Sequence, residues 1–365
     1  MGGVLYIENN FFVPSFAPSI LNIFLILGVW VSIKFFKQPI FALSYIVLLA
    51  GFAQCLWHYI FLKNRLSFRP SLGIFSDEAV VKVFKLSLPR IWGVAVYHIN
   101  LLADTIIASF SNIVGQGAVA AIYYSNRLIQ LPLAIFAMSV SRAVMPKLSL
   151  STADDKRQEF VSILKTSFKG LSFCLIPTSF LFGIFANKLI IVIFKRGEFD
   201  EYSVLITVSC LIFYSLGLFF FGISRLFTSA FYALQDTSTP AKVASITLVI
   251  NIVLSLLFMF PLKVGGIALA SSIASMVNFL ILEKILRRRY KIIELKEIKE
   301  LFKIILASLV MIISLFLAIS SVNFANMFLE LTFIFIFSAV VFFVGALLFK
   351  IEYTDKLVQW ILKRK

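Results

Sequence analysis

The sequence predicts an all-α, polytopic membrane protein of about ten transmembrane helices, and three observations carry that prediction. Of 365 residues, 60% are hydrophobic and only 14% charged, with a mean hydropathy of +0.98; soluble domains run at roughly 45–50% and 25%. Apolar runs near 20 residues recur along the chain, the length a helix needs to cross about 30 Å of hydrocarbon. Between those runs, basic residues alternate between rich and poor segments, as membrane topology demands. A soluble globular fold is excluded. Alternating ten-residue strand patterns are absent, so a β-barrel is not a rival.

The runs are 11–33, 39–62, 89–110, 117–140, 166–186, 202–224, 243–262, 264–283, 303–322 and 331–349. Segments after the even-numbered runs hold 25 Lys and Arg, those after the odd-numbered runs only 6. Cytoplasmic loops are the basic ones, which predicts both termini in the cytoplasm. The formal net charge of +16 is then mostly a topology signal, and nucleic acid is a poor partner. Arg287, Arg288, Arg289 and Lys291 read as anchors beside a span. Ser87 and Pro89 read as the N-cap and early-turn proline of the third run, and Asp236 with Pro240 marks a tight turn before the seventh. Residues 76–86 (SDEAVVKVFKL) mix charge and apolar side chains as an interfacial helix does, and DKLVQWILKRK at 355–365 has the same character. The start, MGGVLYIENN, lacks a basic n-region, and Tyr6 fails the N-myristoylation pattern, so the chain is expected to be held by its own spans. Cys55, Cys174 and Cys210 lie in apolar stretches without metal-ligand spacing and read as core filler.

Polar residues inside spans are costly, about 2.5–3.5 kcal/mol for a central charge on insertion scales, so each is a candidate for function. Arg127 stands well inside the fourth run. Tyr123, Tyr124, Arg127 and Gln130 fall near one face by three- and four-residue spacing, with Asn126 beside them. A guanidinium there suits an anion such as phosphate, which it grips with paired hydrogen bonds; the plainer reading is neutralisation by a carboxylate within the bundle. Asp104 is the carboxylate well inside a run, and it requires a cation, an Arg or a proton. Asn251 and Ser255, one turn apart, and Ser271 are its candidate partners, an oxygen set suited to a hard cation such as sodium. The competing reading is a protonated or Arg-paired structural Asp. His98, two turns before Asp104, reads as a solvated or packed histidine rather than a proton relay. Arg90, Arg142 and Arg225 lie towards cytoplasmic ends, where long side chains reach water; Arg90 and Arg225 could line a cytoplasmic entrance. HExxH, P-loop and nucleophile-elbow motifs are missing. The residues therefore point to transport or scrambling of something anionic rather than to an enzyme.

The blocks YYSNRLIQLP (123–132), FYALQDTSTP (231–240), DTIIASF (104–110) and NNFFVPSFAPSILN (9–22) resemble, in order and spacing, the MurJ (MviN) family of lipid II flippases of the MATE-like MOP superfamily. The resemblance implies a two-lobe transporter of fourteen helices, of which the ten here would be the last ten, with the N-lobe incomplete. Residues 1–62 would close the N-lobe, 63–88 would link the lobes, 89–290 would form a six-helix C-lobe, and 291–365 would add two helices, which form a groove for a polyprenyl tail, and a tail. It also implies that Arg127 contacts the substrate diphosphate. Some members are implied to bind sodium through the equivalents of Asp104 and Asn251, where Ser255 replaces a second carboxylate. The N-lobe arginines would lie in helices outside this chain, and a separate four-helix polypeptide is one expected partner. Implied, then, is translocation of lipid II from the inner to the outer leaflet of the bacterial inner membrane for peptidoglycan synthesis. The alternatives are another MOP transporter, such as an O-antigen flippase or a drug/cation antiporter, or a non-transporting membrane scaffold.

Overall fold

A computed structural model describes residues 5, 12–63, 78–152, 156–288, 290, 292–321, 324 and 326–354. Among these, nine helices are long and apolar enough to cross a membrane, and the ten predicted runs all fall on them. The seventh and eighth share one 50-residue helix, Ser238–Arg287, which breaks at Lys263 (φ 52°, ψ −135°) into arms of crossing length. The chain divides into two compact units, Met1–Asp77 and Glu78–Lys365.

In the first unit, α1 (Phe12–Phe35) and α2 (Pro39–Leu62) form a hairpin. Pro39 occupies the first turn of α2, where its missing N–H has no intrahelical role. Trp57 Nε1 donates to Val13 O at 3.1 Å, and the Trp57 ring meets Phe16 at a tilt and Phe61 edge-on. Most other apolar side chains of the pair are exposed, a surface suited to hydrocarbon and not to water.

The second unit comprises α3 (Glu78–Ala108), the single turn α4 (Ser111–Val114), α5 (Ala118–Pro132), α6 (Ser139–Leu150), α7 (Arg157–Ile184), α8 (Ala186–Phe194), α9 (Glu201–Ala233), α10 (Ser238–Arg287), α11 (Leu295–Ser321) and α12 (Met327–Leu348). The expected helix start at Ser87 and Pro89 is corrected: α3 begins at Glu78 and runs through Pro89. Residues 78–88 contain neither Gly nor Pro to stop a helix, and an interior proline is tolerated in membrane helices where neighbours satisfy the freed carbonyl. The rest of the predicted linker, 64–77, and the tail 355–365 lie outside the described residues. The turn before α10 does form as predicted. Asp236 accepts from Thr239 N (2.9 Å), Thr239 Oγ1 (2.6 Å) and Ser238 Oγ (3.1 Å). Partial burial works to raise the carboxyl, but these bonds outweigh it and hold Asp236 below the usual carboxylate range.

Helix α9 is the centre of this unit. Its buried residues circle the helix, from Val204 through Leu211, Leu218 and Leu226 to Phe231, and Phe227 packs edge-on to Phe279 of α10. Gly222 lets α7 approach closely: a Cβ there would lie 2.2 Å from the end of the Leu175 side chain of α7, which would have to shift within the core. The last two helices are pinned to the others by charge at both ends. Lys188 pairs with Glu330, while buried Lys169 bridges Glu352 (2.7 Å) and Glu297 (3.4 Å). Pairs of this kind are sound only when both members are kept, since removing one strands a buried charge.

Lys263 sits in a conformation that side chains with a Cβ avoid, at a cost of about 1–3 kcal/mol. Lys263→Gly is therefore expected to stabilise the protein by about 1 kcal/mol after the extra entropy of glycine is subtracted. A thermal melt in detergent measures it, and an unchanged or lower midpoint would show that the kink is unstrained.

Candidate functional site

The site is built where α3 and the first arm of α10 run side by side in the same direction. Trp92 Nε1 donates to Ser245 Oγ at 3.0 Å, and that register brings Asn100 and Asp104 beside Asn251 farther along. Asp104, 4% exposed, accepts from Asn251 Nδ2 on Oδ1 (2.8 Å) and from Ser271 Oγ on Oδ2 (3.1 Å). Asn251 Nδ2 also donates to Asn100 Oδ1 at 2.9 Å, and Asn100 Nδ2 lies 3.5 Å from Asp104 Oδ2. Three of the four residues predicted for a cation centre are thus in direct contact. Ser255 lies one turn beyond Asn251, fully buried and not bonded to Asp104.

Two oxygens of this group, Asn251 Oδ1 and Ser255 Oγ, are buried without a hydrogen-bond partner. Unsatisfied buried acceptors are costly and uncommon. With the Asp104 carboxylate and Ser271 Oγ they form an all-oxygen set, which is the donor chemistry of a hard monovalent cation. No Lys or Arg among the described residues pairs with Asp104, so the Arg-paired reading has no counterpart in this geometry.

Asn100 and Ser271 also line a cleft of about 370 Å³, with Arg225, Thr228, Thr247 and Asn278 in its walls. Arg225, half-buried on α9, brings its guanidinium into this cleft without a carboxylate partner among the described residues. The side chain of Arg90 lies outside the described residues; its backbone is in α3, two turns before Tyr97 of the same cleft. His98 is exposed beside Tyr97 and takes no part in the cluster.

On α5 the predicted polar stripe separates into three. Arg127 is exposed, receives support from Tyr123 Oη at 3.0 Å, and stands 4.9 Å from the centre of that ring. Neither contact supplies a counter-charge, and no carboxylate among the described residues pairs with it. Asn126 and Gln130 form their own pair, Gln130 Nε2 donating to Asn126 Oδ1 at 2.7 Å. Tyr124 turns away and packs on Phe194 and Phe199; one face of a helix spans a broad arc, and adjacent residues 123 and 124 point about 100° apart. The pattern missed Asn100, although a polar residue one turn before an intramembrane Asp was signal enough.

Comparison with known proteins follows the same blocks. The family model "Lipid II flippase MurJ" matches residues 1–342. The probable lipid II flippase MurJ of Vibrio cholerae is 33% identical over 282 residues, covering 77% of this chain and 53% of its own. That of Buchnera aphidicola subsp. Acyrthosiphon pisum is 32% identical over 321 residues, covering 87% and 62%. This chain therefore spans between half and two thirds of the length of those relatives. A solved structure described as lipid II flippase MurJ in an inward closed conformation superposes with a TM-score of 0.73 at 27% identity, covering 98% of this chain and 70% of the other. With the family model reaching across nearly the whole sequence and the solved fold agreeing with the helix order, the chain belongs to the lipid II flippase MurJ family.

Proposed function

We propose that this chain carries lipid II, the undecaprenyl-diphosphate-linked peptidoglycan precursor, from the inner to the outer leaflet of the bacterial inner membrane, with both termini cytoplasmic. The observation that supports this reading most directly is Arg127, an exposed guanidinium well inside a membrane helix, braced by Tyr123 and without a carboxylate partner among the described residues. An intramembrane arginine is kept only where a polar ligand or water meets it, and its planar fork suits a diphosphate. Arg225, in the cleft beside Asn100 and Ser271, adds a second positive wall. The charge alternation along the sequence orients the molecule, and an inside-negative potential then favours outward movement of an anion by about 2.3 kcal/mol per charge per 100 mV.

Asp104, Asn251, Ser255 and Ser271 would hold a sodium ion, which compensates the buried carboxylate when bound. Without it, Asp104 keeps the same helices together through Asn251 and Ser271. A drug/cation antiporter reading is less suited, because Asp104 has no second carboxylate beside it among the described residues.

Vesicles reconstituted with the protein and labelled lipid II test the function. Lipid II is expected to move between leaflets, while polyprenyl-linked glycans of other headgroup chemistry and cationic drugs do not. Movement of an unrelated glycan, or none of lipid II, would overturn the reading. Co-purification from native membranes reads out any further polypeptide that joins the chain.

A further inference from the structure

The Asp104 centre and the cleft that holds Arg225 are separated by two side chains. Oδ1 of Asp104 accepts from Asn251 Nδ2 at 2.8 Å on the enclosed side, where Asn251 is 1% exposed. Oδ2 is the oxygen on the cleft side. Its neighbours are Ser271 Oγ at 3.1 Å and Asn100 Nδ2 at 3.5 Å, and both residues line the cleft. The walls around them are cross-tied. Asn278 Nδ2 donates to Thr247 Oγ1 at 3.3 Å and Ser224 Oγ to Ser275 O at 3.4 Å, which joins α9 and both arms of α10. One guanidinium among hydroxyls and amides suits a phosphorylated sugar better than a lipid chain.

The donors available at this point fix how Asn100 is turned. An ionised carboxylate only accepts, so Asn251 must present its amide nitrogen to Asp104. The second N–H of that nitrogen goes to Asn100 Oδ1 at 2.9 Å. Asn100 is thereby held by its oxygen, with its own nitrogen left between Asp104 and the cleft. At 3.5 Å that nitrogen stands farther from the carboxylate than the roughly 2.7–3.2 Å of an ordinary N–H···O bond. The negative charge attracts it without binding it closely. Asn100 is half-buried, whereas Asn251 is enclosed, so it is Asn100 that a ligand in the cleft can reach.

We propose that Asn100 is a positioning residue through which occupancy of the Asp104 centre sets the affinity of the Arg225 cleft for the lipid II headgroup. This rests on the readings of Asp104 as a cation centre and of the cleft as part of the lipid II site. While the carboxylate is uncompensated, its charge draws the Asn100 N–H groups away from the cleft. Once it is compensated, Asn100 keeps its oxygen on Asn251 and turns its nitrogen to the cleft, adding a donor beside Arg225. Sodium and lipid II should therefore tighten each other's binding. The field of the carboxylate also reaches the cleft directly, and the contribution of Asn100 is the part of the coupling that goes with its amide.

Binding of lipid II to the purified protein in detergent, in sodium chloride against choline chloride at equal ionic strength, tests the coupling. In the unaltered protein, sodium is expected to tighten lipid II by about tenfold, within the ordinary range of coupling between two sites. By linkage, saturating lipid II should lower the sodium concentration that gives half the rise in melting temperature by the same factor. Asn100→Leu removes the amide, and Asn100→Ser removes it while keeping a small polar side chain. In both, the sodium-to-choline ratio of lipid II affinities should fall by about fivefold or more, while the sodium-induced rise in melting temperature remains. A ratio that stays within about twofold of the unaltered one in both variants, or equal affinities in the two salts for the unaltered protein despite a rise in its melting temperature, would overturn the role of Asn100. A melting temperature indifferent to sodium would instead overturn the cation centre, and absence of lipid II binding in either salt the lipid II reading, the coupling falling with each.

Discussion

An Arg127→Ala protein is expected to reach the membrane in normal amount and to lose lipid II translocation almost completely. The side chain contributes little to the fold: it is exposed, and its partners are the hydroxyl and ring of Tyr123 on its own helix. Substitution therefore leaves no buried group stranded. What it removes is the fork for the diphosphate, and a hydrogen bond to a charged group is worth about 1.5–3 kcal/mol. Two such bonds lost together predict a fall of about two orders of magnitude or more in rate. Arg127→Lys keeps the charge but not the paired geometry and should fall between. Vesicle translocation with parallel measurement of membrane abundance checks both; normal transport by Arg127→Ala would remove the residue from the substrate site.

The second large effect concerns Asp104. In sodium, the unaltered protein is expected to gain stability by mass action, about 2.7 kcal/mol when the ion stands at 100 times its Kd. Asp104→Asn and Asp104→Ala should both lose that gain entirely. The two variants should differ from each other without sodium. Asparagine retains an acceptor for Asn251 Nδ2 and removes a buried charge that has no cationic partner among the described residues, so it should melt no lower than the unaltered protein. Alanine leaves the Ser271 hydroxyl without its acceptor, a loss of about 1–3 kcal/mol in water-based series and nearer 0.6 kcal/mol in membrane-protein double-mutant cycles. The membrane value is the relevant one here, so a modest drop is expected. Sodium-dependent transport that survives Asp104→Ala would remove the ion centre.

Much of the architecture was legible because its signals are short-ranged. Twenty apolar residues in a row and a summed Lys/Arg excess in the segments after every second run can be read without knowing any contact. Arg127, Asp104 and Asn251 were legible for a related reason: a charged or amide side chain in hydrocarbon is expensive wherever its helix packs. The start of α3 was misplaced because a proline in sequence reads as a boundary, whereas in place it costs one hydrogen bond within a helix that neighbours support. The division of the α5 stripe was equally hidden. Tyr124 and Arg127 share a spacing that permits one face, but Phe194 and Phe199 claim the tyrosine.

Span number, charge alternation and the identity of the costly polar residues thus follow from composition and period alone, since each depends on a residue and its near neighbours. That Asn251 meets Asp104 across 147 positions and that two spans share one bent helix both required the folded molecule. Helix packing sets which faces meet and at what register, and that choice is made by the summed fit of many side chains from distant parts of the chain, which no local pattern records.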